Sequence, residues 1–209
     1  ELYVGGAGND TITTGNGADV ILFNRGDGVD TVNGGAGTDN TVSLGGGIRY
    51  SDLTFSKSSN DLVLNVGSSE KITFKNWYVT TANNKAVSKL QVILDATSDY
   101  NAASSDPTLN KKVEQFDFAG MAAQFDAART ANPSLTTWAL TNALTSFQLG
   151  GSDTAALGGD LAYWYGKNGS LTGINVSAAQ AVINEASFGS GNQALHAFSG
   201  ISGSTSSLS

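Results

Sequence analysis

The sequence predicts an α+β protein made of three successive regions: a coil of short parallel strands, a strand-rich segment and a mainly α-helical C-terminal region. Half of the 26 glycines lie within residues 1–47, which indicates tight, repeated loops. Apolar residues form short strand-like runs over residues 51–94. From residue 109 onward they recur at the spacing of a helix. An apolar content of 40% is sufficient for a folded core.

Four consecutive nonapeptides organise the glycine-rich region. Segment 5–13 fits the pattern G-G-x-G-x-D-x-U-x, in which U is apolar, at every position. Segments 14–22, 25–33 and 34–42 each depart from it at one position, and Phe23-Asn24 is inserted between the second and third repeats. Such self-similarity at a fixed period is typical of stacked repeats that bury one continuous core.

The chemistry of the repeat favours a calcium site between stacked loops. Two repeats make one full coil, so alternate loops lie above one another, about 4.7–4.9 Å apart as in a sheet. Calcium lies about 2.3–2.6 Å from its oxygen ligands, so the ion fits between two such loops. Oxygen ligands without His or Cys favour calcium over zinc or copper. The inward apolar residues Ile12, Ile21 and Val32 argue against a flexible linker.

The nonapeptides resemble those of the RTX (repeats-in-toxin) family of haemolysin-type calcium-binding proteins. The stretch from Leu44 to Trp77 is similar to the segment that follows such repeats, and the tail from Gly150 to Ser209 is similar to C-termini of the same group. This resemblance implies an N-terminal parallel β-roll loaded with Ca2+, a β-strand-rich cap and the mainly α-helical C-terminal region. It also implies an export signal at the C-terminal end.

The resemblance also assigns the metal ligands. Four side chains are expected to bind calcium in two pairs across the stack: Asp10 with Asp30, and Asp19 with Asp39. Backbone carbonyls are expected to complete the sites at Gly5, Ala7, Asn9, Thr14, Asn16, Ala18, Arg25, Asp27, Gly34 and Ala36. The two-residue insertion is expected to distort the coil between the second and third repeats.

These inferences divide the chain into four parts. Residues 1–43 are expected to form the calcium-binding β-roll, 44–94 a β-rich capping segment, 95–108 a linker, and 109–209 the helical region with the export signal at its end. The expected strands lie at 53–56, 62–66, 72–74 and 90–94. The expected helices lie near 110–130 and 135–147, with a third opening at Ser177, where Ser177-Ala178-Ala179-Gln180 fits a capping box.

Composition excludes several classes of function. A net charge of −7 argues against nucleic acid as a partner, since that needs a basic surface. No apolar run reaches the roughly 18 residues of a membrane span. The absence of Cys excludes disulfides and thiolate metal sites. No hydrolase, zinc-protease or phosphate-binding motif occurs, so we expect neither catalytic residues nor an organic cofactor, and no enzyme.

The expected function is that of a calcium-binding C-terminal module of a large bacterial RTX protein, an adhesin or surface protein that folds on calcium after type I secretion. Its expected partners are calcium ions, the type I secretion apparatus and a host or cell-surface ligand bound through upstream domains. The alternative is the same module in an RTX toxin or hydrolase whose active domain lies upstream. Two further hypotheses concern cell attachment through Arg25-Gly26-Asp27 and glycan stacking on the aromatic residues Trp77, Tyr78, Trp138, Tyr163, Trp164 and Tyr165.

Overall fold

A computed structural model describes residues 1–80, 84–172, 174 and 176–196, and two six-stranded sheets dominate these residues. Sheet A contains, in spatial order, β1 (Leu2–Val4), β3 (Val20–Asn24), β5 (Asn40–Gly45), β9 (Val87–Ile93), β10 (Val113–Asp117) and β12 (Gln148–Ser152). Sheet B contains β11 (Thr137–Ala139), β6 (Leu53–Ser58), β7 (Asp61–Val66), β8 (Glu70–Phe74), β4 (Val29–Asn33) and β2 (Thr11–Thr13).

The first five strands alternate between the two sheets, so that the N-terminal chain forms a coil. In sheet A, β1, β3 and β5 are parallel, which places Ile21 between Tyr3 and Val42. In sheet B, β2 and β4 are parallel, with Ile12 beside Val32. In the first three repeats the apolar position therefore points between the sheets, and in the fourth the core residue is Val42, one position later.

The strand-rich segment extends both sheets of the coil. Strands β6 and β7 form the predicted hairpin, which turns at Ser59 with a left-handed φ of 53°. Strand β8 then pairs in parallel with β4, and β9 pairs in parallel with β5. The C-terminal side of the last coil is thus covered by paired strands in both sheets, which leaves no open edge there.

The expected fold class is wrong, because the C-terminal region is not mainly helical and the chain is a sheet-rich mixed α/β fold. The described residues after 109 contribute β10, β11 and β12 to the large sheets, and a small third sheet pairs β13 (Ala155–Leu157) with β14 (Asn192–Ala194). The described α-helices are α1 (Phe118–Ala131), α2 (Leu144–Phe147), α3 (Gly159–Asn168) and α4 (Val176–Ile183). Short 3-10 turns occupy Tyr50–Asp52, Leu94–Ala96 and Leu140–Asn142.

Strand pairing explains the largest of these differences, which is that the helix expected near 110–130 begins only at Phe118. Val113 and Phe116 are fully buried in β10, which fills the space between β9 and β12 and hydrogen-bonds to both. The helix begins only after Asp117, whose carboxylate accepts a hydrogen bond from the Gly120 N–H at 2.8 Å. The expected third helix is present as α4.

The main core lies between the two sheets and crosses the expected domain boundaries. One cluster of buried residues extends from Ile12 in β2 to Leu144 in α2, and Phe118 makes edge-on contacts with Phe55 and Phe74. On the opposite face of sheet A, α3 covers β3, so every residue of β3 is buried although the strand belongs to an N-terminal coil.

None of the described helices has the length and hydrophobicity that crossing a bilayer requires. The end of the expected export signal, residues 197–209, lies outside the described residues.

Candidate calcium site

The four nonapeptide loops form two columns on opposite sides of the coil. We call residues 5–10 and 25–30 the first loop stack, and residues 14–19 and 34–40 the second. Each loop connects a strand of one sheet to a strand of the other sheet, and the corresponding strands of two stacked loops pair in parallel. Equivalent residues of alternate repeats are therefore neighbours.

Both stacks depend on a close approach between backbones that only glycine allows. In the first stack, the Gly8 N–H donates to the carbonyl of Asp27 at 2.9 Å, and a Cβ on Gly28 would lie 2.2 Å from the Gly8 oxygen. In the second, a Cβ on Gly37 would lie 2.0 Å from the Gly17 oxygen. Gly28 and Gly37 are thus required by the contact between one coil and the next.

Two carboxylates of the first stack converge above Gly5. The backbone N–H of Asp10 donates to Oδ1 of Asp30 at 3.0 Å. The Oδ2 atoms of both aspartates lie 3.1 Å from the point that a Cβ on Gly5 would occupy. Oδ2 of Asp10 is buried and accepts no hydrogen bond from the described residues. A buried carboxylate oxygen without a donor is costly unless a cation supplies the missing interaction.

No basic side chain neutralises this stack within the part of the chain that the structure describes. Asp10, Asp27 and Asp30 form no ion pair with Lys or Arg there. Burial raises the pKa of Asp30; the hydrogen bond from Asp10 lowers it, and the negative charges of Asp10 and Asp27 raise it again. The stack is therefore an electronegative, partly desolvated pair of carboxylates, which fits a divalent cation.

The second stack has a different register from the expected one. Asn40, and not Asp39, lies opposite Asp19: the Asp19 N–H donates to Oδ1 of Asn40 at 2.8 Å, and Val20 is paired with Thr41. The coil from Asp19 to Asn40 takes 21 residues, which is one more than an 18-residue coil with the two inserted residues, so Asp39 falls one position short of Asp19. An amide thus replaces a carboxylate in this column.

One carboxylate of the second stack, that of Asp39, already has a positive side-chain partner. Oδ2 of Asp19 is buried and accepts no hydrogen bond from the described residues. Asp39 forms an ion pair with Lys89 and accepts a hydrogen bond from Ser88 at 2.7 Å. Burial alone would raise the pKa of Asp39, but the bonds from Lys89 and Ser88 bring it below its ordinary value. This stack is less suited to calcium.

The expected carbonyl ligands occupy different environments. Five lie on exposed parts of the loops: Ala7, Asn9, Asn16, Arg25 and Ala36. Three are half-buried, namely Gly5, Ala18 and Gly34, and two are buried, namely Thr14 and Asp27. The Ala18 carbonyl is covered by the backbone of Gly189, since a Cβ on that glycine would lie 2.2 Å from it. The carbonyls next to the convergent carboxylates are those of the first stack.

Two other hypotheses lose their structural basis. Arg25 forms ion pairs with Asp52 and Glu70, and the side chain of Asp27 is buried, so Arg25-Gly26-Asp27 is not displayed as an attachment loop. The aromatic residues do not form one exposed glycan-stacking face, because three of the six are buried: Trp77, Trp138 and Tyr165.

Carboxylates alone do not complete a metal site in the described residues, where no group of three or more His, Cys, Asp or Glu side chains could hold a metal. Bound calcium would therefore need backbone carbonyls and water in addition to Asp10 and Asp30. Searches against protein-family models and against curated proteins find no match for this chain.

The sequence analysis missed Asn40, Lys89 and Tyr165 as residues that shape the two stacks. Asn40 directly follows Asp39 and also carries a side-chain oxygen that can accept a backbone N–H, so the local pattern could have offered it as the alternative. Lys89 lies 50 residues from Asp39, and Tyr165 lies 138 residues from Asp27, so no sequence spacing indicates either contact.

Proposed function

We propose that this chain is a calcium-binding module of the RTX type and that the first loop stack is its principal calcium site. The observation that carries the proposal is the convergence of the Asp10 and Asp30 carboxylates over Gly5, with no basic partner among the described residues. Calcium would supply the positive charge that this column lacks. Asp10, Asp30 and neighbouring loop carbonyls would hold the ion, and Gly5 leaves the space for it.

In this proposal calcium acts as a folding ligand. The first 50 residues contain six carboxylates and 13 glycines, so the free chain has high entropy and strong self-repulsion. An ion that binds only the coiled state adds its binding free energy to the free energy of unfolding. Closely stacked loops such as those of Gly8 and Gly28 exist only in that state.

We further propose that the module belongs to a large secreted or cell-surface bacterial protein of the adhesin type and has no catalytic role of its own. The support for this part is the resemblance of the nonapeptides, together with an acidic chain that contains no Cys. Such a chain can cross an envelope unfolded and reach its structure without oxidation.

The test is calcium binding by the whole chain after treatment with a chelator. We expect calorimetry to detect at least one calcium ion and thermal unfolding to shift upward with calcium. The shift with magnesium should be much smaller, because magnesium demands near-octahedral geometry and keeps its waters. Asp30→Asn should remove this ion, whereas Asp106→Asn, in the segment before β10, should leave it bound. Equal stabilisation by both metals, or by neither, would contradict the proposal.

A further inference from the structure

Helix α3 is attached to the outer face of the coil by both apolar and polar contacts. Ala162 and Tyr165 pack on Val20 and Leu22 of β3. Beside them, the side-chain amide of Asn24 donates to the carbonyl of Tyr165 at 2.8 Å. The N–H of Gly46 donates to the carbonyl of Gly166 at 2.7 Å. The C-terminal region is therefore hydrogen-bonded directly to the end of β3, next to the loop that starts at Arg25.

The hydroxyl of Tyr165 reaches into this loop. It lies 3.2 Å from Oδ2 of Asp27, and that oxygen also accepts the backbone N–H of Asn24 at 2.8 Å. Only 7% of Asp27 and 5% of Tyr165 are exposed. The carboxylate of Asp27 thus closes the turn through Asn24 and binds the Tyr165 hydroxyl of α3. Its backbone carbonyl faces the neighbouring loop, where it accepts the Gly8 N–H.

The same turn sets the position of the first loop stack. The carbonyl of Asp27 accepts the N–H of Gly8, and the N–H of Val29 donates to the Gly8 carbonyl at 3.0 Å. Asp30, which lies opposite Asp10, follows directly after Val29. A displacement of the Asp27 turn would therefore shift one loop of the stack relative to the other.

We propose that Tyr165 is a positioning residue for calcium, so that docking of α3 on the coil and binding of calcium by the first loop stack strengthen each other. This inference depends on the proposed function. If α3 favours the loop conformation that binds calcium, then calcium must favour the docked helix by the same factor, because coupling between two equilibria is reciprocal. The C-terminal region thus senses whether the repeats are loaded.

The experiment compares two Tyr→Phe variants of the same helix in the full chain. Tyr165→Phe removes only the hydroxyl that faces Asp27. Tyr163→Phe is the matched control, because its hydroxyl bonds to Asp95 at 2.6 Å and does not contact the loops. We expect Tyr165→Phe to weaken calcium binding about tenfold, the size of the loss of a hydrogen bond to a charged group. Tyr163→Phe should bind calcium as the wild type does.

A second readout follows the helix itself. Hydrogen exchange of the α3 amides should slow when calcium is added to the wild type, and it should slow much less in Tyr165→Phe. If Tyr165→Phe does not fold, Asn24→Ala removes the other side-chain bond to α3 without changing Asp27, and it should reduce calcium affinity in the same direction.

The outcomes separate this inference from the function on which it depends. A wild-type chain that binds no calcium would overturn both. If the wild type binds calcium while Tyr165→Phe binds it equally well, the inference alone is wrong. It is also wrong if Tyr163→Phe weakens binding as much as Tyr165→Phe, because the effect would then reflect the general stability of the helix.

Discussion

The first and second loop stacks have the same backbone arrangement but differ in charge. In both, a glycine of one loop lies against a carbonyl of the loop one coil away. In the first stack, Asp10 and Asp30 meet without a basic partner in the described part of the chain. In the second, Asp39 is paired with Lys89, and Asn40 takes the place beside Asp19. The repeat pattern therefore determines where loops stack, but residues outside the pattern determine how much charge a stack offers to a metal.

The largest expected effect comes from removing one carboxylate of the first stack. Asp30→Asn should eliminate the stabilisation by calcium, which is about 2.7 kcal/mol for one site at a calcium concentration 100 times the Kd. Asp39→Asn is the matched change in the second stack, where Lys89 already neutralises the carboxylate, and it should leave most of that stabilisation intact. Thermal unfolding with and without calcium measures both. Equal losses from the two variants would show that the stacks do not differ as described.

A change to the shared backbone arrangement should affect both stacks alike. Gly28→Ala and Gly37→Ala would each place a Cβ within 2.2 Å of a carbonyl oxygen, so the loops must separate. We expect each variant to lower the free energy of unfolding by about 1–3 kcal/mol, as overpacking does, even in the absence of calcium. Gly17→Ala controls for backbone strain without a clash, because its φ is 92° but its Cβ would meet no atom within 4 Å.

A smaller effect is expected from removing the internal cation of the second stack. Lys89→Met should cost about 0.5–1 kcal/mol without calcium, since the pair is partly exposed. It should also add calcium affinity, because Asp39 would lose its positive partner. Isothermal titration should then detect an additional weak site. Lys85→Met, which removes an equal charge from a lysine that lies over Trp77, should not produce it.

The smallest effect concerns the pH at which individual aspartates titrate without calcium. The pKa of Asp30 is raised, so its contribution to stability is present at low pH and is lost as pH rises through that pKa. The pKa of Asp39 is lowered, so its contribution is present above the ordinary Asp pKa and is lost as pH falls through the lowered value. Carbon-13 NMR of the carboxyl groups should therefore find Asp30 titrating at higher pH than Asp39. The reverse order would contradict the comparison.

The repeats and the hairpin could be predicted from sequence because their signals are local. The nonapeptides identify the inward positions Ile12, Ile21 and Val32, and the composition of residues 58–61 identifies a turn. The register between coils could not be derived in the same way. The coil after Asp19 is one residue longer than two nonapeptides and the insertion together, and this places Asn40, not Asp39, beside Asp19.

The C-terminal region shows a second limit of local patterns. Apolar residues near Val113 and Phe116 fit a helical spacing. These residues instead form the strand that pairs with both β9 and β12 in sheet A, and that pairing outweighs the local preference. The contacts of Lys89 with Asp39 and of Tyr165 with Asp27 could not be predicted from local patterns either. These residues are far apart in sequence and come close only after both sheets and α3 are assembled.

The contact between Asn24 and Tyr165 also has a consequence for the order of events during folding. The two residues are 141 positions apart, whereas the coils themselves close over 18 to 21 residues. Short closures are fast and long ones are slow. The outer side of β3 therefore stays uncovered after the coils have closed and until α3 docks, and during that interval its apolar residues can associate with other chains.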